Sequence, residues 1–123
     1  MLSAEELAKD FLVAFPEYTE EYHEHMEDYG KLQGHVFWGD IFSYILISKV
    51  KENEDLSWIH KTFDFLERMA SEGDKYVRNI LQVTILARLG DDPLALHMAY
   101  TYMGKNTRES SDWIENHLGR AVK

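Results

Sequence analysis

The stretch HVFWGDIFSYILISKVK, residues 35–51, decides the fold class of this chain. Wound into a helix, it carries apolar side chains on most of its sides: Val36, Phe37, Trp38, Ile41, Phe42, Tyr44, Ile45, Leu46, Ile47 and Val50. A helix that is hydrophobic nearly all round is normally the buried centre of a bundle. Tyr44 to Ile47 alone has strand propensity, but the length of the stretch and its helical surroundings favour one helix. Asp40, after Gly39, is either a new N-cap or an interior residue of that helix.

Two further helices are predicted before this stretch. Ser3 and Glu6 have the spacing of a capping box, and Pro16 ends the apolar stripe that follows them. The second helix covers residues 17–29, and Gly30 stands where a left-handed C-terminal residue is needed. Both helices therefore have a defined beginning or end in the sequence itself.

Four more helices are predicted after residue 51, at about residues 55–71, 74–89, 92–103 and 107–118. Their connections are short, and short connections make sequential helices antiparallel neighbours. We predict an all-α fold of six to seven helices in a single domain, residues 1–123. The helical hairpins form either a compact bundle or a short HEAT-like stack, and we favour the stack for residues 55–118.

Composition narrows the class of protein. The chain has 123 residues, a net charge of −9 and no cysteine, which excludes disulfides and thiolate metal sites. The N-terminus lacks the pattern of a signal peptide, and no apolar run is long enough to span a bilayer. We expect a cytoplasmic protein that does not bind membranes.

The negative charge is concentrated in the first third of the chain. Residues 1–40 contain ten acidic and two basic residues, for a net charge of −8, whereas residues 41–123 contain twelve acidic and eleven basic residues. The segment EYTEEYHEHMED, residues 17–28, alone holds six carboxylates. Charge concentrated in this way favours a basic partner.

On a helical wheel these carboxylates share one side of the second helix. Tyr18, Tyr22, Met26 and Tyr29 fall on the opposite side and are predicted to face inward. The acidic face consists of Glu17, Glu20, Glu21, Glu24, Glu27 and Asp28. Its neighbouring like charges repel one another by about 1–3 kcal/mol in total at low salt.

That repulsion leaves two interpretations of the acidic face. It is either a plainly solvated surface or a docking surface for Lys and Arg of a basic partner. We predict the docking surface, with Trp38 and Asp40 as weaker partner-binding candidates beside it.

No residue pattern points to catalysis or to a bound metal. Glu20 and His23 have the Glu-x-x-His spacing of di-iron bundles, but those sites need a second such pair and further inward carboxylates. No phosphate-binding loop, HExxH, GxSxG or CxxC motif occurs. We expect no enzyme activity, no cofactor and no metal. Direct nucleic-acid binding is disfavoured because the net charge opposes phosphate.

Two segments carry a resemblance to a family. The sequence HMEDYGKLQGHVFWGD, residues 25–40, and the sequence FLERMASEGDKYVRNILQVTIL, residues 65–86, resemble a bacterial family of small helical proteins. In size, helicity and charge the chain is similar to immunity proteins of polymorphic toxin and contact-dependent growth inhibition systems. The resemblance covers roughly residues 20–118 and rests on aromatic and structural positions.

This resemblance implies an inhibitor that binds a cognate basic toxin domain, a nuclease such as an EndoU-type ribonuclease, and covers its active site. Two other functions remain open at this point. A general helical scaffold would bind an ordinary cellular protein, and an acidic nucleic-acid mimic would block several DNA-binding proteins.

Overall fold

The computed structural model describes residues 1–120, and the last three residues of the predicted domain lie outside that range. The α-helices are α1 (Ala4–Ala14), α2 (Thr19–Tyr29), α3 (Gly34–Phe42), α4 (Ile45–Glu52), α5 (Leu56–Glu72), α6 (Lys75–Asn79), α7 (Ala87–Leu89), α8 (Pro93–Tyr100) and α9 (Lys105–His117). A 3₁₀ turn, Pro16–Tyr18, precedes α2, and a π-helical segment, Ile80–Leu86, joins α6 to α7. If α3 and α4 are counted as one bent helix, and α6, the π-helical segment and α7 as one continuous helix, the described residues contain seven helices. The predicted all-α class is confirmed.

Local sequence signals place most helix ends. Ser3 and Glu6 form the full capping box, in which each side chain accepts the other residue's backbone N–H. Gly30 ends α2 with a φ of 73°, the left-handed conformation that favours glycine. Asp55, Asp74 and Asp92 cap α5, α6 and α8 through their carboxylates. The second helix begins later than predicted, because Glu17 belongs to the preceding 3₁₀ turn.

The prediction of one continuous helix over residues 35–51 is wrong. The helix is interrupted at Ser43 and Tyr44, and the two halves pack on different neighbours, α3 on the π-helical segment and α4 on α8. Each half can then bury its own apolar side. Tyr44 lies at the interruption with 85% of its surface exposed. Asp40 is an interior residue of α3 and not an N-cap.

The helices surround one hydrophobic core centred on aromatic rings. Phe11 of α1 is fully buried. Its ring lies 4.8–6.2 Å, centroid to centroid, from the rings of Phe15, Tyr18, Phe37, Trp38, Phe42 and Phe65. These distances suit the offset and edge-to-face arrangements that aromatic pairs prefer. The cluster therefore joins α1, α3 and α5.

Contacts between distant helices show how the chain packs. In a stack of hairpins each unit contacts only its neighbours. Here α4 packs on α8, across the hairpin that α5 forms with α6–α7, so the described chain is a compact bundle. Within residues 55–118, α5 packs on α9, a contact between neighbouring hairpins that a stack also allows. The HEAT-like stack that we favoured for those residues stays a prediction.

A carboxylate from α5 caps the start of α9. One oxygen of Glu67 accepts hydrogen bonds from the backbone N and Oγ1 of Thr107, at 2.9 and 2.8 Å. The other oxygen accepts from the backbone N and Nδ2 of Asn106, at 3.3 and 2.8 Å. An anion at a helix N-terminus is stabilised by the free N–H groups and by the helix dipole. Burial raises the pKa of Glu67, but these hydrogen bonds outweigh it, and the pKa lies below its ordinary value.

We expect Glu67→Gln to lower the free energy of unfolding at neutral pH by about 2 kcal/mol, since charged acceptors make the stronger hydrogen bonds. The pKa is lower in the folded state. The Glu67 contribution is therefore complete above the ordinary glutamate pKa of about 4.3 and is lost as the pH falls through the folded value. Urea unfolding at pH 7 and in acid should show the difference between wild type and variant shrinking in acid. A difference that stays constant with pH would contradict this account of the cap.

Candidate functional site

The acidic face is fully accessible. All six of its carboxylates are exposed, five of them on α2 and Glu17 on the 3₁₀ turn before it. Tyr18, Tyr22 and Met26 pack against the core, as predicted. Tyr29 does not, since half of its surface is exposed. The prediction of an inward Tyr29 is wrong because α2 ends at this residue and the chain turns away at Gly30.

A cavity of about 350 Å³ lies between one side of this face and α3. We name it the acidic groove; its lining residues are Tyr18, Glu21, Glu24, His25, Asp28, Tyr29, Phe37, Asp40, Ile41 and Ile45. Four of them are carboxylates, which we call the groove acids: Glu21, Glu24, Asp28 and Asp40. The structure thus brings Asp40, a weaker sequence candidate, into the same site as three members of the acidic face.

Three apolar side chains share the groove with these carboxylates. Phe37 is buried, Ile41 is nearly so, and Ile45 is 37% exposed. They come from α3 and from the start of α4, so the interruption at Ser43 and Tyr44 helps to place Ile45 at the groove. The site therefore offers apolar contact beside negative charge.

Within residues 1–120, none of the groove acids takes part in an ion pair or accepts a side-chain hydrogen bond. The ion pairs of these residues lie elsewhere: Lys49–Asp55, Lys51–Asp92, Arg68–Asp10, Arg68–Glu72, Arg120–Asp91 and Arg120–Glu115. The groove acids are thus available to cations from another molecule. Attraction to such cations is strongest at low salt, because exposed charges are screened beyond about 10 Å at 0.1 M.

His25 holds the two sides of the groove together. It is only 6% exposed, and its Nε2 accepts a hydrogen bond of 2.9 Å from the backbone N–H of Gln33, the N-cap of α3. Burial lowers the pKa of His25, against the opposing influence of the Asp40 and Asp28 carboxylates. The imidazole is therefore neutral at pH 7. Since Nε2 accepts, Nδ1 carries the proton.

Trp38 is not a partner-binding residue. Its exposed fraction is 0%, and its ring packs against Phe11, Phe37 and Phe65 in the core. The prediction that placed it beside the acidic face is wrong, because Trp38 occupies the side of α3 that faces α1 and α5. Partner-binding tryptophans need exposed surface.

Sequence reasoning did not place His25 and Ile45 in the groove, nor the exposed Tyr44 beside it. His25 was not among the predicted site residues, although its spacing from Tyr22 and Tyr29 on α2 places it on the same side of the helix. Ile45 and the adjacent Tyr44 were assigned to a buried helix, and no local signal marks the interruption that exposes them. Tyr44 is an exposed aromatic residue next to the groove-lining Ile45.

A second, larger groove lies between α8 and α9, with a volume of about 990 Å³. Two pairs of its polar groups bind one another. Tyr100 donates to the carboxylate of Asp112, and Arg120 pairs with Glu115. This groove carries mixed charges, so it selects a basic partner less strongly than the acidic groove does.

The residues described show neither a metal cluster nor a membrane span. Across residues 1–120, no three His, Asp or Glu side chains lie close enough together to hold a metal ion. None of the helices in this range has the length and apolar character needed to cross a bilayer.

Comparison with known proteins identifies a family for this chain. No curated protein and no solved structure is significantly similar to this chain. A family model described as "Domain of unknown function (DUF7674)" matches residues 8–119, which include every helix from α2 to α9 and the whole acidic groove. The chain therefore belongs to the DUF7674 family, whose function is unknown.

Proposed function

We propose that this chain is an immunity protein that binds a cognate basic toxin domain, a nuclease, and covers its active site. The observation that carries the proposal is the acidic groove, where four carboxylates without an ion-pair partner among residues 1–120 line a cavity with an apolar side. The bacterial setting, in contact-dependent growth inhibition or another polymorphic toxin system, comes from the resemblance of the sequence. The proposal places this chain in the cytoplasm, because such a toxin acts there.

Charge complementarity explains how such an inhibitor finds its target. A nuclease must attract phosphates, so the groove that binds its substrate is lined with Lys and Arg. The acidic face presents a matching negative surface, and this match speeds association and selects the partner. An inhibitor that occupies the cationic groove also excludes the nucleic acid from the active site.

Affinity needs contacts that charge alone does not supply. Interfaces gain most of their binding energy from a few buried aromatic or apolar anchors surrounded by a polar rim. Tyr44 and Ile45 fit that role, since both are exposed and Ile45 lines the acidic groove. The proposed interface therefore combines the acidic face with the apolar edge of α3 and α4.

Co-purification with the protein encoded immediately upstream of this chain tests the proposal. We expect a stoichiometric complex, and we expect nuclease activity of the upstream protein to fall to background at equimolar addition of this chain. If the upstream protein forms no complex, or keeps its activity when this chain is in excess, the immunity function is wrong. Competition with duplex DNA for several unrelated DNA-binding proteins would instead indicate a nucleic-acid mimic.

A further inference from the structure

We propose that the acidic groove receives one arginine side chain of the basic partner, with its guanidinium between the carboxylates of α2 and that of α3. This assignment rests on the proposed function, because the arginine belongs to the partner named there. It goes further by giving the groove one defined occupant.

The arrangement of the groove acids supports a guanidinium. Glu21, Glu24 and Asp28 belong to α2, whereas Asp40 approaches from α3. A guanidinium has five N–H donors in a planar fork and can bind carboxylates on two sides at once. An ammonium group is a compact point charge and gains less from carboxylates that belong to two different helices.

The uncharged part of the groove favours arginine over lysine for a second reason. The rings of Tyr18, Tyr29 and Phe37 line the same cavity as the groove acids. A guanidinium stacks on aromatic faces and is more weakly hydrated than an ammonium, so it enters a partly apolar cavity at a smaller desolvation cost. Ile41 and Ile45 offer apolar surface to the methylene groups of the side chain.

His25 supplies an independent polar group that points to a ligand. Its side chain is buried and lines the cavity, and its Nε2 is occupied by the Gln33 amide. Nδ1 has no hydrogen-bond partner among residues 1–120. A neutral imidazole with the proton on Nδ1 is a donor, so it suits a backbone carbonyl of the segment that carries the arginine. Groove acids and His25 would then bind the side chain and the main chain of the same residue.

The size of the cavity limits what it can hold. Pockets for small molecules measure about 300–1,000 Å³, and this one lies near the lower limit at about 350 Å³. One long side chain and its backbone fit such a volume, whereas a partner helix does not. The rest of the interface must accordingly lie outside the cavity.

Titration with three blocked tripeptides tests the assignment without the toxin. The probes are acetyl-Gly-Arg-Gly-amide, its lysine analogue and its citrulline analogue, in which a neutral urea replaces the guanidinium. We expect the arginine peptide to shift the NMR signals of His25, Tyr29 and the Gln33 amide saturably. The lysine peptide should bind at least about threefold more weakly, because it lacks the fork and the stacking surface. The citrulline peptide should cause no saturable shift.

Matched variants show whether the groove acids bind the peptide. Asp40→Asn and Glu24→Gln each remove one groove charge, whereas Glu20→Gln and Glu27→Gln remove one charge from acidic-face residues that do not line the cavity. All four side chains are exposed, so the fold should be retained. We expect about a tenfold or greater loss of arginine-peptide affinity in the groove variants and less than about a twofold loss in the other two.

Three results would overturn the arginine site. The first is no saturable shift with the arginine peptide up to about 20 mM, which is well above the millimolar range of weak contacts. The second is equal affinity for the lysine peptide. The third is an equal loss of affinity in both pairs of variants. If the peptide fails while the upstream toxin is still inhibited, the arginine site is wrong and the proposed function stands. If the peptide binds as expected while no toxin is inhibited, the site stands and the proposed function is wrong.

Discussion

The double variant Glu24→Lys/Asp40→Lys should lose at least about 100-fold in affinity for the basic partner, because it places two like charges against the partner's cations inside the groove. Both residues line the acidic groove, one from α2 and one from α3. Neither takes part in an ion pair within residues 1–120, so the substitution should leave the fold intact. The measurement is the dissociation constant for the upstream protein at low and at moderate salt, with circular dichroism as a check on folding.

Glu20→Lys/Glu27→Lys is the matched control. It makes the same change in the net charge of the chain, but at two acidic-face residues outside the groove. We expect it chiefly to slow association, by about tenfold or less at low salt and by much less at moderate salt, because distant charges are screened. Equal losses in the two double variants would show that only the net charge of the chain matters and not the position of the carboxylates. A groove variant that binds like wild type would remove the groove from the interface.

Phe11→Ala should lower the free energy of unfolding by about 3–5 kcal/mol, a large part of the about 5–15 kcal/mol available to a domain of this size. Phe11 is fully buried and has six aromatic neighbours, so its removal leaves a cavity that the surrounding rings cannot easily fill. Urea unfolding measures the effect. Because Phe11 packs on Phe37, which lines the acidic groove, partner affinity should also fall.

Two control variants accompany the Phe11→Ala measurement. Phe11→Leu keeps much of the apolar volume and should cost about half as much or less. Val13→Ala lies two residues away on the exposed side of α1 and should change stability by less than about 0.5 kcal/mol. A loss below about 1 kcal/mol for Phe11→Ala would mean that the aromatic cluster does not organise the core.

The sequence predicted those parts of the fold that depend on residues close together in the chain. The Ser3–Glu6 capping box and the left-handed Gly30 are local, and so are the starts of the helices predicted at about residues 74 and 92, where the structure places the caps Asp74 and Asp92. Such signals do not depend on how the helices later pack. The all-α class followed from these signals together with the apolar pattern of residues 35–51.

Features that depend on packing between distant segments were not predictable in the same way. Residues 35–51 form a single apolar stretch in the sequence. In the structure α3 packs on the π-helical segment and α4 packs on α8, and the helix is interrupted between them. The same packing buries Trp38 in the core and places Asp40 in the groove between α2 and α3. One face of α2 was therefore predictable as an acidic surface, whereas the groove that it shares with α3 was not.

The acidic groove as the partner-binding site is tested most directly by hydrogen exchange on the complex with the upstream toxin domain. Amide exchange should slow on binding in α2 and α3, residues 19–42, and around Tyr44, while α8 and α9 remain unchanged. Protection confined to α8 and α9, with no change in residues 19–44, would contradict the acidic groove as the binding site.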